Sequence, residues 1–203
     1  MNARRQIGLL GGSFDPVHCA HIAIARAAKA DFGLGEVWFL PCARSPLKTQ
    51  THASDADRLE MLRLALLGES GMRVLPVELD RPPPSYTVDT LRALRTANPD
   101  ADFTFVAGAD SLLSLHEWKD PLELLSLARF ATYARPGFPI PAPEDLRLPL
   151  PAARRLLADC RTGVPRTIAS ADIRAAIRSG RSLPPDVLPD AVLRYIQTKG
   201  LYR

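Results

Sequence analysis

Three cysteines in 203 residues, Cys19, Cys42 and Cys160, are too scattered for a disulfide framework, and no CxxC pair suggests a structural zinc site. They read as reduced, inert thiols. No apolar run approaches the roughly 18 residues that span a bilayer, so a membrane partner is not expected. The opening residues lead straight into Ile7-Gly8-Leu9-Leu10, too short for a secretory core, and then into Gly11-Gly12. That stretch reads as a first strand, which predicts a cytoplasmic protein. No block of lysine and arginine stands out either. Basic residues number 26 against 22 acidic, for a net charge of +4 spread along the chain. With a pI of about 9.2, this mild excess fits a small polyphosphate at least as well as a duplex, which asks for a concentrated positive stripe. No internal repeat is present, and the sequence leaves a homo-oligomer open.

What is present is ordinary globular composition, 46% hydrophobic and 24% charged, in a chain long enough for one sizeable α/β domain. Short apolar runs at Gln6 to Leu10, Glu36 to Leu40, Met72 to Val77, Phe103 to Ala107 and Phe130 to Ala134 predict strands. Between them, helical spacing appears at Val17 to Ala30, from Ser54 to Gly68, and at Val88 to Ala97. Ser54 with Asp57 three residues on resembles a capping box. Short helices are predicted at Asp110 to Leu115 and Pro121 to Leu125. The proline-rich stretch from Pro136 to Pro151 reads as a surface loop. A helix (Ala152 to Asp159), a short strand (Val164 to Ile168) and two helices (Ala171 to Ser179, Asp190 to Lys199) follow, the last two stopped by Gly180 and Gly200. Alternation of this kind predicts an α/β fold: a Rossmann-like, doubly wound, mostly parallel sheet with a C-terminal helical cap. We expect a single domain over 1–203, its C-terminal helical portion beginning near residue 152.

The strongest chemical signal is Gly11-Gly12-Ser13-Phe14-Asp15-Pro16-Val17-His18-Cys19-Ala20-His21, at the handover from first strand to first helix. In a doubly wound sheet that is the ligand crevice. Glycines let the backbone approach a ligand, and a helix N-terminus offers N–H groups and a positive dipole end to phosphate. His18 and His21, three apart, project from one side of the first turn and could donate to phosphoryl oxygens. A metal would need a third ligand, and the other histidines are His52 and His116. No metal site is therefore expected within the protein. There is no GKS or GKT ending for a P-loop and no GxGxxG fingerprint.

These residues resemble the GxFDPxHxxH signature of the nucleotidylyltransferase superfamily. Pro84-Ser85-Tyr86-Thr87-Val88-Asp89-Thr90-Leu91 is similar to the PSYTxDTL segment of bacterial nicotinate-nucleotide adenylyltransferases. Gly108-Ala109-Asp110-Ser111-Leu112 with Trp118 is similar to their GADSL…W segment, and Ile168 to Arg174 to their ISSTxIR segment. The ending, with Tyr195, Ile196, Gly200, Leu201 and Tyr202, is also similar. The matches run in order over nearly the whole chain.

The resemblance implies that His18 and His21 hold ATP phosphates, and that Gly11, Gly12, Ser13 and Phe14 line the crevice for ATP, Ser13 and Phe14 also meeting the mononucleotide. It places a basic phosphate contact at Lys48. It puts Gly108 and Asp110 on the adenosine side, Trp118 on the pyridine ring, and Tyr86 and Thr87 at the mononucleotide, Thr87 on its carboxylate. Ser170 and Arg174 would grip the triphosphate. Of these, His18, His21, Lys48 and Arg174 would be catalytic. Three positions depart from the family: Leu47 stands for a histidine, and Ala169 and Ala171 for hydroxyl residues. On its own terms, Arg174 early in a helix has the wrong sign for the dipole, which favours an anion nearby.

The implied partners are ATP and nicotinate mononucleotide, with Mg2+ arriving on ATP and no nucleic acid. The acceptor phosphate would attack the α-phosphorus directly, without a protein nucleophile, while the protein aligns and neutralises. Alternatives are nicotinamide mononucleotide or phosphopantetheine as acceptor, or a catalytically silent nucleotide-binding module.

Overall fold

A computed structural model describes residues 4–44, 51–134, 140–162 and 168–203. Six strands form one sheet: β1 (Arg5–Gly12), β2 (Glu36–Pro41), β3 (Met72–Val74), β4 (Ala101–Gly108), β5 (Arg129–Tyr133) and β6 (Cys160–Arg161). Their order is β3-β2-β1-β4-β5-β6, and every pairing is parallel. The helices are α1 (Cys19–Asp31), α2 (Asp55–Ala65), α3 (Thr87–Ala97), α4 (Asp110–Leu113), α5 (Pro121–Leu127), α6 (Leu150–Ala158), α7 (Ser170–Arg178) and α8 (Asp190–Lys199).

A parallel sheet covered on both faces needs strands apolar on both, and β2 meets that with Val37, Trp38, Phe39 and Leu40 all buried. Alternate residues then serve opposite cores. Leu10, Val37, Phe39 and Val106 meet α1, α2, α7 and α8, through side chains such as Ile22, Leu62, Ile173 and Val192. Leu9, Trp38, Phe105 and Phe130 meet α3, α4, α5 and α6, through Leu91, Leu112, Leu124 and Leu156. The chain winds outward from β1 to β3, then crosses back through α3 to place β4 on the other flank of β1. That reversal between β1 and β4 opens a crevice outside their carboxyl ends.

Several elements differ from their sequence expectations. β3 stops at Val74: Leu75 still donates to the Phe39 carbonyl at 2.9 Å, but Pro76 has no N–H with which to continue. The last strand is Cys160–Arg161, bonded to Thr132 and Tyr133. The expected strand from Val164 to Ile168 lies, except for Ile168, outside the described residues. The proline-rich stretch is not all loop. It holds a 3-10 turn, Pro143–Leu146, whose Leu146 is fully buried, and α6 begins inside it at Leu150. Ser54 caps α2 by accepting the Asp57 N–H at 3.1 Å. Gly200 closes α8 in the left-handed region, φ 63°, as a helix stop requires.

Candidate active site

The turn leaving β1 is built by close approach. A Cβ on Gly11 would lie 3.3 Å from the Phe105 ring, and one on Gly12 would lie 3.2 Å from the Phe14 ring. Phe14 folds back over Gly12 with φ 48°, and its ring is buried in the first core against Phe39. The turn is then tied from three directions. The Asp15 carboxylate, 4% exposed, accepts the His52 N–H at 2.6 Å, the Ala53 N–H at 3.1 Å and the Tyr202 hydroxyl at 2.7 Å. Burial and that bond to Asp15 push the Tyr202 hydroxyl pKa well above its ordinary value. Arg58, fully buried, donates to the Ser13 carbonyl at 2.6 Å, the Cys42 carbonyl at 2.7 Å and Asp55 at 2.7 Å. Arg58 carries no sequence signal, because an arginine in an amphipathic helix ordinarily reads as solvated.

The two histidines meet at the start of α1. His18 is the N-cap residue, extended at φ −145°, and is buried; His21 is half-buried. The His18 N–H donates to His21 Nδ1 at 3.2 Å. A neutral imidazole that accepts on Nδ1 carries its proton on Nε2, so His21 presents a donor there. The rings stack, centroids 3.7 Å apart and planes 23° from parallel, with the edge of Phe14 against His21 at 5.0 Å. The first turn of α1 carries no acidic residue, so nothing there opposes the positive dipole end.

The start of α7 abuts the same turn. The Ser170 hydroxyl donates to the Pro16 carbonyl at 3.0 Å, and Arg174 Nη1 donates to the Asp15 carbonyl at 2.6 Å. Each residue therefore spends one hydrogen bond on the turn itself. Arg174 Nε is buried and makes no hydrogen bond among the described residues. The N-cap position is Ala169, without a side-chain cap, which leaves backbone N–H groups at this helix start.

Across the switch point, Gly108 ends β4 beside β1, and Asp110 opens α4. Trp118 caps a 3-10 turn, Leu115–Glu117. It is half-buried, perpendicular to Phe105 at 6.0 Å, and its buried indole N–H has no partner among the described residues. Phe105 is the ring beneath Gly11, so one side chain underlies both halves of the crevice. Tyr86 is the N-cap of α3 and gives no side-chain cap. Lys119 Nζ lies 4.9 Å from the Tyr86 ring centroid and bonds Asp89 at 2.9 Å. That bond, with the ion pair to Lys119 and help from Arg92, holds the Asp89 carboxyl below the usual range. Lys48 and Leu47 lie outside the described residues, which resume at Thr51, next to the His52 and Ala53 amides held by Asp15.

Among the described residues, no three His, Cys, Asp or Glu side chains cluster as a metal site would require. A cavity of about 510 Å³ opens at the amino ends of the strands, lined by Gln6, Arg95, Asp102, Arg129, Arg155 and Asp159 among others. It lies at the wrong end of the sheet for this fold's ligands. Its arginines are engaged, Arg129 with Asp159, Arg95 with the Leu127 carbonyl and Arg155 with the Leu125 carbonyl.

Residues 9–179 match the cytidylyltransferase-like family model. A probable nicotinate-nucleotide adenylyltransferase of Bordetella petrii is 42% identical over 199 residues, covering 98% of this chain and all of that relative. One of Herpetosiphon aurantiacus is 38% identical, covering 98% of each. Among solved structures, the Plasmodium falciparum nicotinic acid mononucleotide adenylyltransferase complexed with NaAD superposes with a TM-score of 0.74 at 18% identity, over 98% of this chain and 97% of that one. That likeness is one of fold.

Proposed function

Because the chain belongs to the cytidylyltransferase-like family, and within it to the nicotinate-nucleotide adenylyltransferases, we propose that the β1–α1 turn is where it transfers an adenylyl group from ATP to nicotinate mononucleotide. The products are nicotinate adenine dinucleotide and pyrophosphate, a step of NAD biosynthesis that we place in the cytoplasm.

The acceptor phosphate is an anion near neutral pH and needs no base. One of its oxygens bonds the α-phosphorus as the bond from that phosphorus to the β-phosphate bridge oxygen breaks, and pyrophosphate leaves. The protein's share is alignment and stabilisation of charge building on the phosphoryl oxygens. His18 and His21 are assigned to that charge. The observation that carries the reading is the His18 N–H held on His21 Nδ1, which puts the proton of a neutral His21 ring on Nε2. Gly11, Gly12 and Ser13 contribute backbone at the same turn, and Phe14 shapes it by packing. Arg174 and the start of α7 are assigned to the triphosphate, with Ser170 holding α7 against the turn. Lys48 is assigned to the phosphates from the neighbouring segment.

Mg2+ is expected to arrive on ATP, since the described residues place no three His, Cys, Asp or Glu side chains so as to hold a metal ion. When bound it supplies further neutralisation of the phosphates. Gly108 and Asp110 are assigned to adenosine and Trp118 to the pyridine ring. Tyr86, Thr87 and the uncapped N–H groups of α3 are assigned to the nicotinate carboxylate, where donors alone favour carboxylate over carboxamide.

Pyrophosphate release from ATP, measured with nicotinate and nicotinamide mononucleotide in parallel, tests this. Faster release with the nicotinate form is expected. ATP binding without release from either acceptor would favour a silent nucleotide-binding module.

A further inference from the structure

Arg58 sits where its charge is poorly served. Its side chain is fully buried, while its acid partner, Asp55, is 51% exposed. Its Nε is buried as well and makes no hydrogen bond among the described residues. A guanidinium buried in this way costs stability that an apolar side chain filling the same space would not. What it provides instead is a fixed direction for two carbonyls just beyond the ends of adjacent strands. Nη1 donates to the Ser13 carbonyl at 2.6 Å, after β1, and Nη2 to the Cys42 carbonyl at 2.7 Å, after β2. The Cys42 N–H in turn donates to the Gly12 carbonyl at 3.0 Å. Arg58 therefore holds the β1–α1 turn from its β2 side.

In a planar trans peptide the C=O and the N–H point in opposite directions. The Ser13–Phe14 bond is trans; the cis bonds among the described residues are Asp15–Pro16 and Pro83–Pro84. With the Ser13 carbonyl drawn toward Arg58 and β2, the Phe14 N–H is turned the other way. β1 lies between β2 and β4, so that way leads to the β4 side, where the crevice opens. Phe14 is 2% exposed, and its N–H makes no hydrogen bond among the described residues. A nearly buried backbone donor without a partner is rare in folded proteins. Its surroundings suit an anion. Two imidazoles stand at the turn, the first turn of α1 carries no acidic residue, and the Asp15 carboxylate is spent on His52, Ala53 and Tyr202. We propose that Arg58 is a positioning residue for the phosphates: by holding the Ser13 carbonyl from behind, it aims the Phe14 N–H at a phosphoryl oxygen of the bound nucleotide. The proposal rests on the assignment of this turn to adenylyl transfer.

Protein labelled with 15N at its seven phenylalanines gives a direct test by amide NMR, the Phe14 signal being the one that Phe14→Leu removes. In the wild type, ATP and pyrophosphate should each move the Phe14 amide proton downfield, and adenosine should not. Arg58→Lys keeps the charge, but one ammonium nitrogen cannot reproduce the planar fork that spans both carbonyls. In that variant the shift should shrink, and the Kd for pyrophosphate should rise about tenfold, the scale of one hydrogen bond to a charged group. The Kd for adenosine should stay within about twofold, since the contact at stake is to phosphate alone. If Arg58→Lys keeps the wild-type shift and pyrophosphate affinity, or weakens adenosine as much as pyrophosphate, Arg58 is merely structural and the proposal is overturned. If the variant fails to fold, the wild-type titrations carry the test: a Phe14 amide that answers neither ATP nor pyrophosphate overturns it. Pyrophosphate release with nicotinate mononucleotide, measured on the same wild-type protein, separates the two levels of failure. Release without the Phe14 shift sinks this proposal and leaves adenylyl transfer standing. The Phe14 shift without release from either acceptor sinks adenylyl transfer and upholds the phosphate contact.

Discussion

At the turn leaving β1, what each side chain can offer a substrate depends on which of its polar atoms is already engaged. His21 has Nδ1 occupied by the His18 amide. Arg174 gives one of its five N–H donors to the Asp15 carbonyl. Ser170 has its single proton on the Pro16 carbonyl. Losing Arg174 should therefore matter more than losing Ser170. Arg174→Met is expected to lower kcat/KM for ATP by about 10²-fold, the scale of one or two charge-assisted bonds, and Ser170→Ala by less than about tenfold. Equal effects in steady-state assays would contradict this ranking. Trp118→Ala should raise the KM for nicotinate mononucleotide by about three- to tenfold, the worth of one aromatic stack, and leave the ATP KM unchanged. The two histidines were legible in the sequence from their spacing after Gly-Gly. Arg58 and Glu78 were not, since nothing local tells a buried charged residue from a solvated one.

Elements hold those residues in place. α2 sends Arg58 under the turn, and the chain end beyond α8 sends Tyr202 to Asp15. Arg58→Met would strand the carbonyls of Ser13 and Cys42, and is expected to cost about 3 kcal/mol or more in urea unfolding. Tyr202→Phe loses one bond to a carboxylate and should cost about 2 kcal/mol. A loss within about 0.5 kcal/mol in both variants would mean the turn stands without these ties. Most elements were legible where apolar period and length agreed, as in β1, β2, β4, α1 and α8. β6 was not, because Cys160–Arg161 has no apolar pattern and pairs only because β5 offers it an edge. Leu146 inside a proline-rich stretch was missed for a related reason: composition marked the loop but not the one leucine that fills the second core.

For the molecule as a whole, carboxyl groups pull stability in opposite directions with pH. Glu36, Asp57 and Asp89 have lowered pKa values, each through side-chain hydrogen bonds. Their contribution is present above the unfolded carboxyl range and is lost as pH falls through the lowered values. Glu78 is raised by burial. The fold binds its proton more tightly than the unfolded chain does, so its contribution is largest below the unfolded value of about 4.3 and shrinks as pH climbs through the raised one. Melting temperatures of wild type and Glu78→Gln, compared from about pH 4 to 7, should therefore shift steadily in favour of the variant as pH rises. A constant difference would remove Glu78 from that balance. The sheet itself was legible as alternation, and its strand order placed the crevice where the Gly-Gly turn is.

The central claim is that two stacked imidazoles at this turn stabilise the reacting phosphorus. Single-turnover formation of the dinucleotide at saturating ATP and nicotinate mononucleotide tests it most directly, in wild type, His18→Ala and His21→Ala. The account predicts a fall of about 10²-fold or more in each variant, as for loss of a transition-state donor. Wild-type rates in both would contradict it.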